Sequence, residues 1–238
     1  MALPIQATPV YTMTIPSTKE TIRYRPFLVR EEKALMMAQI SDDVGVMYDT
    51  VKEVLRACIK DSVKLDNLSS FDIEYMFVKL RTVSVGETSD LLFQCDNCVD
   101  DEKARARVRI NLNNASVVTP EGHDKKVELY EKVGVMMKYP SIDVLRRLDT
   151  EDTNDVDVMF DIISQCIEYI YDAENIYRAE DTSKQELIDF MTSLTSEQFG
   201  KLQTFFRTMP SLRMDVEYRC PVCGLEHKKY IQGISSFF

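Results

Sequence analysis

The chain has 238 residues, 45% of them hydrophobic, with only 7 Gly and 8 Pro, which is material for a sizeable packed core and excludes a disordered or fibrous protein. Its formal net charge of −10 argues against a broad phosphate-binding surface, which needs clustered Lys and Arg. No stretch approaches the roughly 18 apolar residues of a membrane helix, and Met1 to Gln6 lack the basic and apolar regions of a secretory signal, so the expectation is a soluble protein of a reducing compartment.

The opening segment predicts a β-hairpin. Tyr11 to Ile15 and Thr21 to Phe27 are rich in Thr, Ile, Tyr and Phe, and Pro16-Ser17-Thr18-Lys19 supplies the turn. Pro26 belongs at a strand end or edge, because it cannot donate to a ladder. Helices follow. Arg30 to Ile40 has Glu31 and Glu32 in its first turn, where the dipole favours acid. Asp43 to Ile59 places Val44, Met47, Val51, Leu55 and Cys58 on one face. Ser69-Ser70 offers a cap to Phe71 to Arg81, with Ile73, Met76, Phe77 and Leu80 as its stripe.

The middle of the chain turns to strands. Leu91 to Gln94 leads into Cys95-Asp96-Asn97-Cys98, and Ala104 to Leu112 alternates Arg105, Arg107 and Arg109 with Ala106, Val108 and Ile110, a half-buried strand with a basic face. Val127 to Met137 is a weaker extended candidate. The next segment is acidic: from Asp149 to Glu197 there are fourteen Asp and Glu against Arg178 and Lys184. Its apolar residues Val156, Phe160, Ile163, Ile167 and Ile170 step by three and four, which predicts one helix. Ser183 with Glu186 and Thr195 with Gln198 fit capping boxes before two further apolar runs. Met214 to Tyr218 and His227 to Ile231 are short strands around Cys220-Pro221-Val222-Cys223. A repelling, solubilising face is the simpler reading of the acidic run, and a docking face for a basic partner is the sharper one.

The four cysteines carry the clearest chemistry. Two intervening residues let one tight turn aim two thiolates at a single point, and two such turns complete a tetrahedron around zinc. Each unit has an aromatic two places before its first cysteine, Phe93 and Tyr218. Gly224 suits the left-handed backbone that follows such a turn. The expectation is one structural zinc per chain held by Cys95, Cys98, Cys220 and Cys223, with no open position for water. The 121 residues between Cys98 and Cys220 make this a split zinc ribbon with a large insertion. His227 lies just past a complete ligand set and reads as a bystander, and Cys58 and Cys166 read as core thiols. No phosphate-cradling glycine loop occurs, and His123 and His227 are the only histidines, so an enzyme with a cofactor or small-molecule substrate is not expected.

The predicted fold is therefore α+β. Residues 1–90 form an N-terminal β-hairpin plus helices. Residues 91–238 form the ribbon, from 91–112 and 214–238, around an inserted acidic helical segment 141–209, and the two parts are expected to behave as one interdependent unit.

Three stretches carry a family resemblance: Ile15-Pro16-Ser17-Thr18 running into Arg25-Pro26-Phe27-Leu28-Val29-Arg30-Glu31-Glu32-Lys33, then Ser69-Ser70-Phe71-Asp72-Ile73-Glu74-Tyr75-Met76-Phe77, then Arg81 with Ser84-Val85-Gly86-Glu87. Over about the first hundred residues the chain resembles the baseplate hub subunit and hub-assembly proteins of T-even-type contractile-tailed phages. The resemblance implies a virus-encoded protein that builds the central hub of a tail baseplate, as subunit or as assembly chaperone. Its partners would be other baseplate hub or tail assembly proteins, met in the host cytoplasm, with the virion tail baseplate as a second location. Arg25, Glu31 and Glu32, and on the acidic face Asp157 and Asp161, are the candidate partner-binding residues. An arginine–carboxylate pair among the first group would instead fix the hairpin against the helices. The alternative reading is a phage zinc-ribbon nucleic-acid binder or transcription regulator, supported by Arg105, Arg107 and Arg109 and opposed by the net charge.

Overall fold

A computed structural model describes residues 7–41, 43–150 and 156–234, without the side chains of 148–150; Met1 to Gln6 and residues 151–155 of the acidic run lie outside the described residues. Among the described residues the fold is mixed α+β, with seven α-helices and four small antiparallel sheets. The chain divides into two compact units. One comprises Met1–Leu65, Phe71–Val118 and Ser211–Phe238, and the other comprises Asp66–Ser70 and Thr119–Pro210. The first thus joins the N-terminal elements to both cysteine segments, and the second is built almost wholly from the insertion.

In the first unit, β1 (Tyr11–Thr14) and β2 (Thr21–Tyr24) form the expected hairpin, with Met13 opposite Ile22. Met13, Ile22 and Tyr24 are buried and their neighbours are exposed, the period-two pattern of a sheet with one wet face. The strands end before Arg25-Pro26, where the proline would have left a donor position empty. The turn is held from outside: the Ser17 N–H and hydroxyl both donate to the buried Asp72 carboxylate, at 2.9 and 2.5 Å. Helices α1 (Val29–Ser41) and α2 (Val44–Cys58) pack on one another, and α3 (Ser70–Ser84) contributes Ile73, Met76, Phe77 and Leu80 to the interior. The Asp43 carboxylate caps α2 by accepting from the N–H groups of Gly45 and Val46.

Strands β3 (Thr88–Gln94) and β4 (Arg105–Asn111) form a second hairpin. A three-stranded sheet is completed late in the chain, in the order β11 (Glu226–Gln232), β10 (Ser211–Arg219), β5 (Ser116–Val118). Val78 of α3, Ile110, Leu112, Leu212, Met214 and Val216 pack into one core beneath these strands.

The second unit has its own core. Strands β6 (Lys126–Tyr130), β7 (Val133–Met137), β8 (Ile167–Tyr171) and β9 (Ile176–Arg178) form an antiparallel meander, joined by α4 (Ile142–Thr150), α5 (Val156–Gln165), α6 (Lys184–Thr192) and α7 (Ser196–Thr208). Both expected capping boxes form, at Ser183–Glu186 and Thr195–Gln198. The weak extended candidate at 127–137 is a hairpin, turned at Glu131 with a φ of 44°. Gly134 in β7 has no room for a side chain, because a Cβ there would sit on the Tyr171 ring and 2.6 Å from the Val127 carbonyl oxygen.

The single helix expected through Ile170 is a correction. Helix α5 stops at Gln165, and Ile167 and Ile170 lie on β8. The ladder between β7 and β8 shifts register between Met136 and Met137. That irregularity lets two isoleucines three apart both point inward, so a bulged strand mimics helical spacing.

Candidate metal centre

Strand β3 delivers Cys95 to the start of a tight turn. The Cys98 N–H donates to the Cys95 carbonyl at 3.3 Å, and the Gln94 side-chain amide donates to the Cys98 carbonyl at 2.6 Å. The hairpin of β10 and β11 delivers the second pair. There the Cys220 N–H donates to the Leu225 carbonyl at 2.9 Å and the Gly224 N–H to the Cys220 carbonyl at 3.1 Å. Gly224 takes a φ of 74°, the left-handed conformation expected of it.

These two turns bring the sulfurs of Cys95, Cys98, Cys220 and Cys223 within 4.8 Å of one another. The Sγ atoms of Cys95 and Cys223 are 3.7 Å apart. That is far beyond a disulfide bond of about 2.05 Å, and all four are free thiols. A tetrahedron with metal–sulfur distances of about 2.3 Å separates its sulfurs by about 3.8 Å, so the donor set fits a tetrahedral thiolate-loving ion. Cys95 and Cys220 are buried, Cys98 is half-buried and Cys223 is exposed. As thiols the four compete for charge. The shared hydrogen bond with Cys223, helped by burial, pushes Cys98 up to about 12. Burial raises Cys95, and the Cys223 backbone N–H draws Cys220 down to about 7. Four sulfurs this close cannot all ionise without a cation between them.

Side chains around the sulfurs join the two turns. Phe93 and Tyr218, the aromatics that precede each first cysteine, stack at 5.1 Å, and Tyr218 stacks on His227 at 4.8 Å. The Tyr218 hydroxyl donates to the Gln94 carbonyl at 3.1 Å, and Lys229 reaches Asp96 at 2.7 Å. His227 is closer to the site than its sequence position suggested. It is buried, with Nε2 3.2 Å from Cys95 Sγ and Nδ1 3.7 Å from Asp96. The usable signal was register: His227 pairs with Tyr218 across β10 and β11, two residues before Cys220.

A family model described as "T4 bacteriophage base plate protein" matches residues 8–238. The chain belongs to that family. It is also 23% identical over 232 residues to a relative named "Baseplate hub assembly protein gp26" of Enterobacteria phage T4, spanning 96% of this chain and 97% of the relative. No solved structure matches the chain. No helix among the described residues of this base plate family member is long and apolar enough to cross a membrane.

The residues read from sequence as partner contacts are dispersed. The Arg25 and Glu31 side chains are each only 7% exposed and bond to one another at 3.0 Å. Arg25 also donates to the carbonyls of Pro26 and Ala57, and Glu31 accepts from Arg30 and from the Leu28 N–H. This is the arginine–carboxylate pair that fixes the hairpin end to α1 and α2. Glu32 is partly exposed and Asp157 exposed. Asp161, read from spacing as outward, is instead mostly buried between Arg147 of α4 and Lys184 at the start of α6, at 2.7 and 2.6 Å. Arg109 on the basic strand face pairs with Asp90 at 2.9 Å, and exposed Leu92 lies opposite Arg107. The other histidine, His123, is placed between the hydroxyls of Thr208 and Tyr139.

Burial alone would raise the Glu31 carboxyl, but Arg25, Arg30 and the Leu28 N–H overcome it and hold the group down to about 2, against an ordinary 4.5. A carboxylate depressed on folding contributes its stability above the ordinary value and loses it as pH falls toward the folded one. Melting temperature should therefore drop more steeply between about pH 5 and about pH 2 in the parent than in Glu31→Gln. At neutral pH that variant should lose about 3 kcal/mol, because Arg25 is left buried without its counter-charge. Identical acid profiles for the two chains would contradict this assignment.

Proposed function

We propose that this base plate family member is a non-enzymatic assembly protein of the tail baseplate hub, working through contacts with other baseplate hub or tail proteins in the host cytoplasm. One observation carries the reading: similarity to a hub assembly protein runs over 96% of this chain and 97% of that relative, so the two correspond end to end and not through one shared module. The chemistry of the site agrees. A four-thiol set leaves no position for a reacting water, and both histidines are held in packing roles.

In this reading Cys95, Cys98, Cys220 and Cys223 hold one structural zinc. The ion's chemistry is cross-linking: it neutralises thiolates that would otherwise repel and ties two distant segments together. His227 is positioned to donate a hydrogen bond to the Cys95 sulfur, and Asp96 to orient both the His227 ring and Lys229, the kind of surrounding support that metal thiolates use.

Two measurements test this. Phage lacking the gene should arrest without baseplate hubs, and the chain supplied in trans should restore infectious particles; normal tails in its absence would contradict the assembly role. Protein freshly purified under reducing conditions should carry one zinc per chain by elemental analysis. Cys220→Ser should lose the metal and expose β10 and β11 to protease. Reduced parent protein free of zinc would overturn the metal assignment.

A further inference from the structure

Helix α1 is apolar on two sides. Its inner side buries Leu35 and Ala38. Its outer side leaves Val29, Met36, Met37 and Ile40 at 78%, 57%, 61% and 82% exposure. At 100° per residue Val29, Met36 and Ile40 fall within about 40° of one another, with Met37 beside them, making a stripe about 16 Å long. Single exposed apolar residues are ordinary on a protein surface, whereas a run at helical spacing on one face marks a contact site. Beside α1 lies a groove of about 540 Å³ against α2, lined by Ala34, Val46, Thr50 and Ala57 and edged by Asp49 and Glu53. A stripe and a groove on a helix pair suit the docking of a further helix by its apolar face. The two methionines add the adaptable contact that such surfaces use.

Charge selects the occupant. Residues 29–58 contain six Asp and Glu against four Lys and Arg, on a chain of net −10. A second copy would bring like charge against like, which opposes association. A partner helix whose apolar stripe is flanked by Lys or Arg would satisfy both the stripe and the acidic edge.

We propose that the outer face of α1, with the groove against α2, docks an amphipathic helix with basic flanks from another protein of the tail. This deepens the hub-assembly reading and rests on it. The surface is separate from the cysteine site and from the buried Arg25–Glu31 pair, so it can be altered without disturbing either.

The test uses the full chain in infected cells. With Ile40→p-benzoyl-phenylalanine, photo-cross-linking followed by mass spectrometry should yield an adduct to a phage tail protein. The linked segment should have apolar residues three and four apart and Lys or Arg beside them. An adduct to a second copy of this chain, an adduct to an acidic segment, or no adduct overturns the proposal. In phage lacking the gene, Met36→Gln with Ile40→Gln should rescue infectious particles about tenfold less well than the parent or worse, with melting temperature and metal content unchanged. Full rescue by that double variant overturns the docking face alone. Normal tails in phage without the gene overturn the assembly reading itself, so the two failures are distinguishable.

Discussion

Two turns separated by 121 residues of sequence hold their four sulfurs within 4.8 Å, and the late strands depend on that closure. Bringing the ends of such a loop together costs roughly 4 kcal/mol of chain entropy. The contacts around the sulfurs offset part of it: the Phe93–Tyr218–His227 stack, the Tyr218 hydroxyl on the Gln94 carbonyl, and Lys229 on Asp96. They are few, and Lys229–Asp96 is a partly exposed ion pair of the sort that contributes little. The zinc we propose brings an apparent binding free energy of about 10–16 kcal/mol in comparable thiolate sites. That exceeds the closure cost by a wide margin, and by this comparison the metal decides whether the two turns stay together.

The closure also explains how the chain accommodates its insertion. Strand β10 pairs with β5 on one side and β11 on the other, and Leu212, Met214 and Val216 share a core with Val78, Ile110 and Leu112. The C-terminal hairpin is thus built into the first unit although most of the intervening residues belong to the second. The second unit keeps its apolar residues to itself, with Val135, Met137, Ile163, Leu187, Leu202 and Phe205 in one cluster. A segment with its own core can lengthen a loop at small extra entropic cost, since that cost grows only with the logarithm of loop length.

Much of this was legible in sequence where one local rule governed the outcome. The hairpin at Tyr11–Tyr24, the capping boxes at Ser183 and Thr195, and the approach of the two cysteine pairs each follow from residue type and spacing. The Arg25–Glu31 pair was also foreseeable, because a charge beside Pro26 and Phe27 needs a partner once it is buried. Three features were hidden for physical reasons. The change from α5 to β8 at Cys166 was masked because a register shift places Ile167 and Ile170 on one face at helical spacing, although Ile167, Tyr169, Ile170 and Tyr171 are strand-forming types. Asp161 could not be read as inward, since its partners Arg147 and Lys184 lie 14 and 23 residues away in sequence. The outer stripe of α1 escaped because a helix apolar on both sides has no single face for periodicity to reveal.

The shared metal site is tested most directly by hydrogen exchange on reduced protein before and after chelation, read at the amides that close the two turns: Cys98 in one and Cys220 and Gly224 in the other. A site shared by both turns predicts that chelation accelerates exchange at both segments together, and in β3 and β10 leading into them. Acceleration at only one turn, or at neither, would contradict it.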